Sequence, residues 1–231
     1  MNSSHPIVLI PGLACSARLF EAQIPSLWQF GSVQIADHRQ HDTMSEIAKE
    51  ILATAPPKFT LMGLSMGGYI SFEILRQAPE RVMKLALLDT SARPDTAEQT
   101  AARKVAMDQA TSGKYEEAMK ASLPFVFHDF DNPRLQKIFL QMTEDTGIDA
   151  FLRQQNAIMS RPDSRPDLKN ILCPTLVLGG REDKLTPPEV MSEIANGLPR
   201  SEYVTIPNCG HASTLEQPEL VTNALVKWLK K

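Results

Sequence analysis

Three side chains with the chemistry of nucleophilic catalysis each follow a short apolar run of the chain: Ser65, Asp183 and His211. A serine hydroxyl is a weak nucleophile at neutral pH and needs a base to take its proton, a task that suits a neutral imidazole. A carboxylate on the second ring nitrogen would hold the required tautomer and stabilise the imidazolium. The three residue types together predict acyl transfer, with Ser65 as nucleophile, His211 as base and Asp183 as the orienting acid.

The segment 63–67 reads Gly-Leu-Ser-Met-Gly and is the most informative of these signals. Such a match also arises by chance in a Gly-rich turn, so its flanks must decide. The apolar run 59–62 follows two prolines and predicts a short buried strand, whereas apolar residues recur at helical spacing after the segment as far as Pro79. A strand followed directly by a helix predicts a nucleophile elbow, a strained turn that exposes the Ser65 hydroxyl.

The acidic partner has two rivals, because Glu182 is adjacent to Asp183 and Asp89 ends an earlier apolar run. We favour Asp183 because the chain order serine, acid, histidine is the one expected for a nucleophile elbow. An isolated loop histidine more often makes only a structural hydrogen bond. His211, however, follows a predicted strand and a glycine, as is expected of a catalytic base at this edge of the sheet. The remaining histidines lie near the terminus, in a polar loop or in a helical segment: His5, His38, His41 and His128.

Acyl transfer also creates an oxyanion, which two backbone N–H groups can stabilise. Met66 directly follows the nucleophile at the predicted start of a helix, where the helix dipole favours negative charge. The second donor is expected in the loop after the first strand, and Leu13 is the chosen residue. Gly12 would let the backbone approach the substrate, although a tight turn alone would also explain it.

Strand-like and helix-like segments alternate over both ends of the chain, which predicts a parallel sheet covered by helices on both faces. The predicted strands are 7–10, 32–36, 59–62, 82–88, 175–180 and 203–206. Helices are predicted at 17–28 with an interruption at Pro25, at 43–55 with Thr43 and Glu46 forming a capping box, at 188–195 and at 218–229. Because ligands bind outside the carboxyl ends of such strands, the three catalytic candidates should converge at one edge.

After Pro94 the alternation stops, and residues 96–159 carry only helical patterns, which predicts a helical insertion. The aromatic and sulfur-containing side chains of this insertion could wall an apolar substrate pocket above Ser65: Phe125, Phe127, Phe151 and Met159. Such residues more often form a core between helices and sheet, so both interpretations stay open.

These residues resemble the α/β-hydrolase superfamily, and specifically its small carboxylesterase-like members with a helical cap. The matching motifs are Gly63-Leu64-Ser65-Met66-Gly67-Gly68, Leu87-Leu88-Asp89, Gly180-Arg181-Glu182-Asp183 with Pro187, and Cys209-Gly210-His211 with Glu216 and Pro218. The resemblance covers nearly the whole chain and implies an α/β-hydrolase fold, with a core of residues 1–93 and 162–231 and a cap of residues 94–161. It further implies ester hydrolysis through an acyl-enzyme intermediate, with no metal or organic cofactor.

Two departures from the family pattern concern loops near the expected site. The usual His-Gly after the first strand is Pro11-Gly12 in this chain, which keeps the amide donor but changes the polarity around it. Residues 37–42 read Asp-His-Arg-Gln-His-Asp in place of the frequent Gly-x-Gly-x-Ser.

The resemblance specifies the chemistry more closely than the substrate. A serine hydrolase of small carboxylic esters is the first hypothesis, with thioesters, lactones, C–C bonds or cofactor-free perhydrolysis as alternatives on the same triad. A haloalkane dehalogenase is disfavoured because it would need a carboxylate in place of Ser65. A ligand receptor that kept the fold without turnover is the hypothesis from another class, but it would be expected to have lost one of these residues.

Composition narrows the class of partner. The chain has 231 residues, a net charge of −3, 42% hydrophobic and 22% charged residues, which fits one globular domain and argues against nucleic acid or an anionic membrane as partner. No basic and apolar leader and no span-length apolar run is seen, so a cytoplasmic protein with a small-molecule substrate is expected, as monomer or homodimer. Three cysteines without a CxxC pair predict neither disulfides nor a zinc site.

Overall fold

A computed structural model describes residues 5–231, so residues 1–4 of the predicted core lie outside the described residues. One sheet contains six strands, and every pair of neighbours is parallel. The strands are β1 (Ile7–Ile10), β2 (Val33–Ile35), β3 (Phe59–Leu64), β4 (Val82–Leu88), β5 (Thr175–Gly180) and β6 (Ser201–Ile206). Their order across the sheet, β2-β1-β3-β4-β5-β6, confirms the predicted parallel arrangement.

Helices connect the strands and account for most of the remaining chain. The α-helices are α1 (Ile24–Leu27), α2 (Met44–Thr54), α3 (Met66–Gln77), α4 (Ala97–Gln109), α5 (Tyr115–Val126), α6 (Pro133–Thr146), α7 (Ile148–Met159), α8 (Pro188–Gly197), α9 (Ser213–Glu216) and α10 (Pro218–Leu229). Short 3₁₀ segments occupy Ala17–Phe20, Pro79–Arg81 and Arg165–Asn170, and a π-helical turn, Ala110–Lys114, joins α4 to α5. Across residues 5–231, none of these helices has the length and apolar character needed to cross a lipid bilayer.

Successive side chains of a strand point to opposite faces of the sheet, and helices bury both faces. In β1, Ile7 and Leu9 join one hydrophobic core, whereas Val8 and Ile10 join the other. The first core includes residues of α5, α6, α7 and α10, and the second includes residues of α2, α3 and α8. The helices between β4 and β5 therefore share a continuous core with one face of the sheet, and the end of α7 also contributes Ala157 and Ile158 to the second core.

The strand order reverses at β1, which lies between β2 and β3. The loops that leave the carboxyl ends of β1 and β3 therefore lie side by side and diverge to opposite halves of the sheet. Crevices at such reversal points are where parallel α/β sheets bind ligands. The loop containing Leu13 and the turn at Ser65 are these two connections.

Two local predictions need correction. Pro25 does not interrupt a helix but lies in the first turn of α1, where its missing N–H has no intrahelical partner to lose. The predicted capping box at α2 is only half formed: the Glu46 N–H donates to the Thr43 hydroxyl over 3.3 Å, but within the described chain the exposed Glu46 carboxylate does not return the bond. The remaining predicted strands and helices are confirmed to within a few residues at each end.

A buried ion-pair cluster joins the two ends of the segment between β4 and β5. Asp95, with its carboxylate 1% exposed, accepts from Arg103 over 2.6 Å and from Arg161 over 2.5 Å. The Arg161 guanidinium is 5% exposed and lies 4.3 Å from the centre of the Tyr69 ring on α3. The cluster therefore attaches α4 and the end of α7 to the helix that follows β3.

We expect Asp95→Ala to lower the free energy of unfolding by about 3–5 kcal/mol, because it leaves the Arg161 charge buried without a carboxylate. Urea unfolding followed by circular dichroism would measure the change. The control is Asp163→Ala, which removes the exposed pair with Arg165 and should change the free energy of unfolding by less than about 1 kcal/mol. Equal effects of the two substitutions would contradict a structural role for the buried cluster.

Candidate active site

The three residues singled out by their chemistry meet at the carboxyl edge of the sheet. Ser65 directly follows β3, Asp183 follows β5 and His211 follows β6. The Ser65 Oγ lies 2.8 Å from His211 Nε2, and the other ring nitrogen, Nδ1, lies 2.8 Å from Asp183 Oδ2. Hydroxyl, imidazole and carboxylate thus form one continuous chain of hydrogen bonds.

The turn at Ser65 has the strained geometry expected of an elbow. Its φ of 55° and ψ of −113° are rarely adopted by a residue with a side chain, and such strain costs about 1–3 kcal/mol. The Ser65 N–H donates to the Leu88 carbonyl over 2.9 Å, and its own carbonyl accepts from the Thr90 hydroxyl over 2.8 Å. A side chain at Gly67 would overlap with the Ile10 carbonyl oxygen, so α3 can begin this close to β1 only with glycine there.

Strained backbone is concentrated at this edge of the sheet. Within residues 5–231, the non-glycine residues with positive φ are Ala14, Ser65, Asp89 and Asn208. They lie in the loops that follow β1, β3, β4 and β6, respectively. Because unfavourable backbone conformations persist only where surrounding contacts impose them, their clustering marks this edge as the functional region.

The Asp183 carboxylate is buried and fully engaged. Oδ1 accepts from the N–H groups of Leu185 over 2.8 Å and Thr186 over 3.0 Å, and Oδ2 accepts from the Thr186 hydroxyl over 2.6 Å. Burial alone would raise the pKa of Asp183, but the charge of His211 and these hydrogen bonds outweigh it and lower the pKa below its ordinary value. The group is therefore a carboxylate at neutral pH.

His211 is held by the segment between β4 and β5 as well as by its own loop. The N–H groups of His211 and Ala212 donate to the Val126 carbonyl over 2.9 and 3.1 Å. Burial disfavours the charged ring, but the Asp183 charge and hydrogen bond exceed that effect, so the pKa of His211 is raised above its ordinary value. The imidazole is consequently a stronger base than a free histidine.

Glu182 and Glu216 hold the backbone before His211, a role that the sequence did not predict. Glu182 accepts from the Cys209 N–H over 2.8 Å, and Glu216 accepts from the Gly210 N–H over 2.6 Å. Their presence beside the motifs was visible in the sequence, but their targets are backbone groups, which leave no pattern in residue types. Neither carboxylate is bonded to the His211 ring.

The second rival acid, Asp89, lies behind the site. It is fully buried and accepts from the Gly180 N–H over 2.9 Å and from the Ser213 hydroxyl. Burial and the nearby Asp183 charge raise its pKa well above that of an ordinary aspartate. Asp183, rather than Asp89 or Glu182, is therefore the carboxylate in contact with the imidazole.

Two backbone N–H groups lie free beside Ser65. Met66 is the first residue of α3, and the loop carrying Leu13 contacts the elbow, since a Cβ at Gly12 would lie 3.5 Å from the Ser65 Cβ. Among the residues that the structure describes, no acceptor is found for the N–H of Leu13 or of Met66. Unpaired donors next to a nucleophile are suited to an oxyanion.

The candidate pocket residues occupy different environments. Phe127 and Phe151 are buried in the core shared by the sheet and α5–α7, where Phe127 packs edge-on against Phe139 with ring centres 6.0 Å apart. Phe125 is 53% exposed, and Met159 is half-buried. Phe127 and Phe151 therefore belong to the core between the helices and the sheet.

The thiols of Cys15 and Cys209 are not suited to nucleophilic attack. Burial raises the pKa of the Cys15 thiol to about 12, and burial together with nearby carboxylates raises that of Cys209. Both thiols are therefore protonated at neutral pH and are poor nucleophiles. Within residues 5–231, no three histidine, cysteine, aspartate or glutamate side chains are grouped so as to hold a metal ion.

Comparison with known proteins gives consistent matches over nearly the whole chain. The Mycobacterium tuberculosis protein named "Putative non-heme bromoperoxidase BpoC" is 30% identical over 195 residues, which cover 78% of this chain and 70% of that protein. A pimeloyl-acyl-carrier-protein methyl ester esterase from Nitrosomonas europaea is 26% identical over 234 residues, or 92% of this chain and 91% of the esterase.

A solved structure of a thermophilic esterase from Thermogutta terrifontis matches 100% of this chain and 91% of its own, with a TM-score of 0.88 and 29% identity. Relatives of this chain thus include esterases, which are hydrolases. The family model described as the alpha/beta hydrolase fold matches residues 5–218. Because this match spans all six strands and the loops that carry Ser65, Asp183 and His211, the protein belongs to the α/β-hydrolase fold family.

Proposed function

We propose that this protein is a serine hydrolase that cleaves small carboxylic esters through an acyl-enzyme intermediate. The observation that carries the proposal is the chain of two 2.8 Å contacts from Ser65 Oγ through His211 to Asp183. Esterases among the relatives support ester bonds as the substrate class. Thioesters, lactones and other acyl donors would use the same groups, so they are tested beside esters below.

Acylation follows from the positions of these groups. Ser65 Oγ attacks the ester carbonyl carbon while its proton passes to His211 Nε2, and Asp183 stabilises the resulting imidazolium. The carbonyl oxygen becomes an oxyanion that accepts from the N–H groups of Leu13 and Met66. His211 then protonates the departing alkoxide. In deacylation the same imidazole takes a proton from a water molecule, which attacks the acyl carbon. The bond from that carbon to Ser65 Oγ then breaks, and His211 returns the proton to Oγ, so that the acid and free Ser65 are released.

We assign residues 94–161 the role of a cap over this site, with residues 5–93 and 162–231 as the core. The support is the bonding of Val126 to the His211 loop, together with the shared core between α5–α7 and the sheet. Phe125, being half-exposed, and Met159, being half-buried, are the pocket candidates that remain available to a substrate. The partner under this proposal is a small-molecule, ester-type substrate, and the reaction as written needs neither metal nor organic cofactor.

Ser65→Ala should reduce the rate on p-nitrophenyl acetate and butyrate by at least about 10³-fold, because no other group takes the acyl chain. The release of p-nitrophenol at a saturating concentration of the ester measures this rate. The control is Ser112→Ala, which changes an exposed serine far along the chain. Equal rates for Ser65→Ala and the unchanged protein would overturn the serine-hydrolase proposal and favour a binding protein without turnover.

Asp183→Asn should lower kcat by about 10⁴-fold, since the amide favours the wrong imidazole tautomer and cannot stabilise the cation. Asp89→Asn should cost much less, because a neutral amide oxygen can still accept from Gly180 and Ser213. Steady-state kinetics of both variants on one ester decides between the two carboxylates. A larger loss in Asp89→Asn would transfer the acid role to the loop after β4.

The raised pKa of His211 should be visible in the pH dependence of kcat/KM on a neutral ester. Protonation removes the base, so activity should fall on the acid side with a single apparent pKa above the reference value of about 6.5. In Asp183→Asn the raising charge is gone while burial remains, so the apparent pKa should move down. A flat profile between about pH 5 and 8, with chemistry shown to limit the rate, would contradict the mechanism.

Choice among acyl donors needs a panel of esters, thioesters and lactones with graded acyl lengths, assayed with the unchanged protein and Ser65→Ala. A perhydrolase would be recognised by peracid formation when hydrogen peroxide replaces water as the second nucleophile. The ester proposal requires that simple esters give the highest kcat/KM of the panel.

A further inference from the structure

The loop that carries Leu13 is anchored by two buried side chains that the mechanism above does not use. His38 Nε2 lies 2.9 Å from the Gly12 carbonyl oxygen, and Gln154 Oε1 accepts from the Ala14 N–H over 2.9 Å. His38 is 3% exposed and Gln154 is fully buried. Neither comes from the loop itself, because His38 follows β2 and Gln154 belongs to α7.

The bond to Gly12 determines where the Leu13 N–H points. The carbonyl of Gly12 and the N–H of Leu13 belong to the same peptide group. Within residues 5–231 every peptide bond is trans, so these two groups lie in one plane and point in opposite directions. The Gly12 carbonyl is held from one side by His38 and by the Cys15 N–H over 3.2 Å. Fixing that oxygen therefore also fixes the direction of the Leu13 N–H, which lies in the same plane and points the opposite way.

The bond to Ala14 fixes the next peptide plane. Ala14 has a φ of 55°, a conformation that an alanine adopts only under constraint. Its N–H belongs to the peptide between Leu13 and Ala14, so Gln154 holds the plane on the other side of the Leu13 Cα. With a hydrogen bond to each of the two planes, the backbone of Leu13 is restrained from rotating its N–H.

The two anchors are also bonded to each other, and His38 is suited to its role. Gln154 Nε2 lies 3.5 Å from the His38 carbonyl. Burial lowers the pKa of His38, so its ring is neutral, and a carbonyl acceptor selects the tautomer with the proton on Nε2. A neutral donor holds the loop without adding a charge beside the reacting atoms.

We propose that His38 and Gln154 are positioning residues that aim the Leu13 N–H at the oxyanion. This inference rests on the proposed serine-hydrolase function, and it adds that α7, in the segment 94–161, controls half of the oxyanion hole. The residues act through the loop and do not touch the substrate.

Substitution of His38 tests the first anchor. His38→Leu should lower kcat on p-nitrophenyl acetate by about 10- to 100-fold with little change in KM, since a full oxyanion donor is worth roughly 10²–10³-fold. His38→Gln should recover most of the loss, because its amide nitrogen reaches the position of Nε2. His38→Asn, one bond shorter, should not, and it replaces His38→Leu if that variant fails to fold. Equal kcat in all four proteins would overturn the proposal.

Neighbouring glutamines on α7 provide a matched pair for the second anchor. Gln154→Met removes the acceptor for Ala14, whereas Gln155→Met alters an equally buried glutamine that accepts from Arg103 over 2.9 Å. Both should lower the melting temperature to a similar extent, but only Gln154→Met should lower kcat. A similar loss of kcat in both variants would reduce the role of Gln154 to general stability and overturn the proposal.

Two further readouts separate the possible failures. The apparent pKa on the acid side of the kcat/KM profile should be the same in the His38 variants as in the unchanged protein, since His38 does not contact His211. A shifted pKa would show that the effect passes through the base and would overturn the proposal. Ser65→Ala is assayed alongside. If Ser65→Ala stays active, the proposed function is wrong. If Ser65→Ala is inactive but His38→Leu is fully active, only the positioning role is contradicted.

Discussion

The close backbone contact between the start of α3 and the end of β1 is the constraint on which the site depends. Gly67 lies against the Ile10 carbonyl and Gly63 lies against the Gly67 carbonyl, at separations that no side chain would permit. Because α3 begins this near to β1, the preceding residue must reverse the chain at a positive φ, which turns the Ser65 hydroxyl out of the sheet edge. The same contact brings the free N–H of Met66 beside the loop after β1. The positions of the proposed nucleophile and of the proposed oxyanion donors are therefore consequences of one packing arrangement.

Several carboxylates lie near the loop that carries His211, and their different partners decide which of them affects the imidazole. Glu182 and Glu216 are occupied by backbone N–H groups, and only Asp183 reaches the His211 ring. Burial and the nearby Asp183 charge raise the pKa of Asp89, whereas the His211 charge and hydrogen bonds lower the pKa of Asp183. Neighbouring carboxylates in a buried site commonly divide in this way, because a single negative charge is easier to stabilise than two. The Asp183 charge and hydrogen bond therefore raise the basicity of the imidazole, and the buried Asp89 contributes in the same direction.

The segment 94–161 takes part in this organisation and is not an independent unit attached to the sheet. Its helices complete the core on one face of the sheet, and its two ends are joined by the buried carboxylate of Asp95. Val126 accepts from the backbone of the His211 loop, and Gln154 accepts from the loop that carries Leu13. Both contacts act on backbone groups beside the reacting atoms. A change in how these helices pack would therefore alter the geometry of the base and of the oxyanion loop together.

Much of the architecture could be predicted because its signals are local. Buried parallel strands are continuous apolar runs bounded by proline, glycine or a polar turn, and the elbow at Ser65 combines a strand, a small-residue turn and a helix within about twenty residues. Local signals misled at Pro25 and Glu46, where a first-turn proline and an exposed carboxylate have more than one acceptable environment. The chain order serine, acid, histidine favoured Asp183 over Asp89, and only the structure shows that Asp183 lies 2.8 Å from the His211 ring.

By itself, then, the sequence determined the parallel sheet, the elbow and the identity of the hydroxyl, imidazole and carboxylate that could react. Only the tertiary structure decided which backbone groups Glu182 and Glu216 hold, and that His38 and Gln154 anchor the loop of Leu13. The contact between Gln154 and Ala14 joins residues 140 positions apart. Hydropathy and spacing record whether a side chain is buried and on which face of its element. They carry no record of the hydrogen-bond partner that a buried polar group finds once distant loops have been brought to the same edge of the sheet.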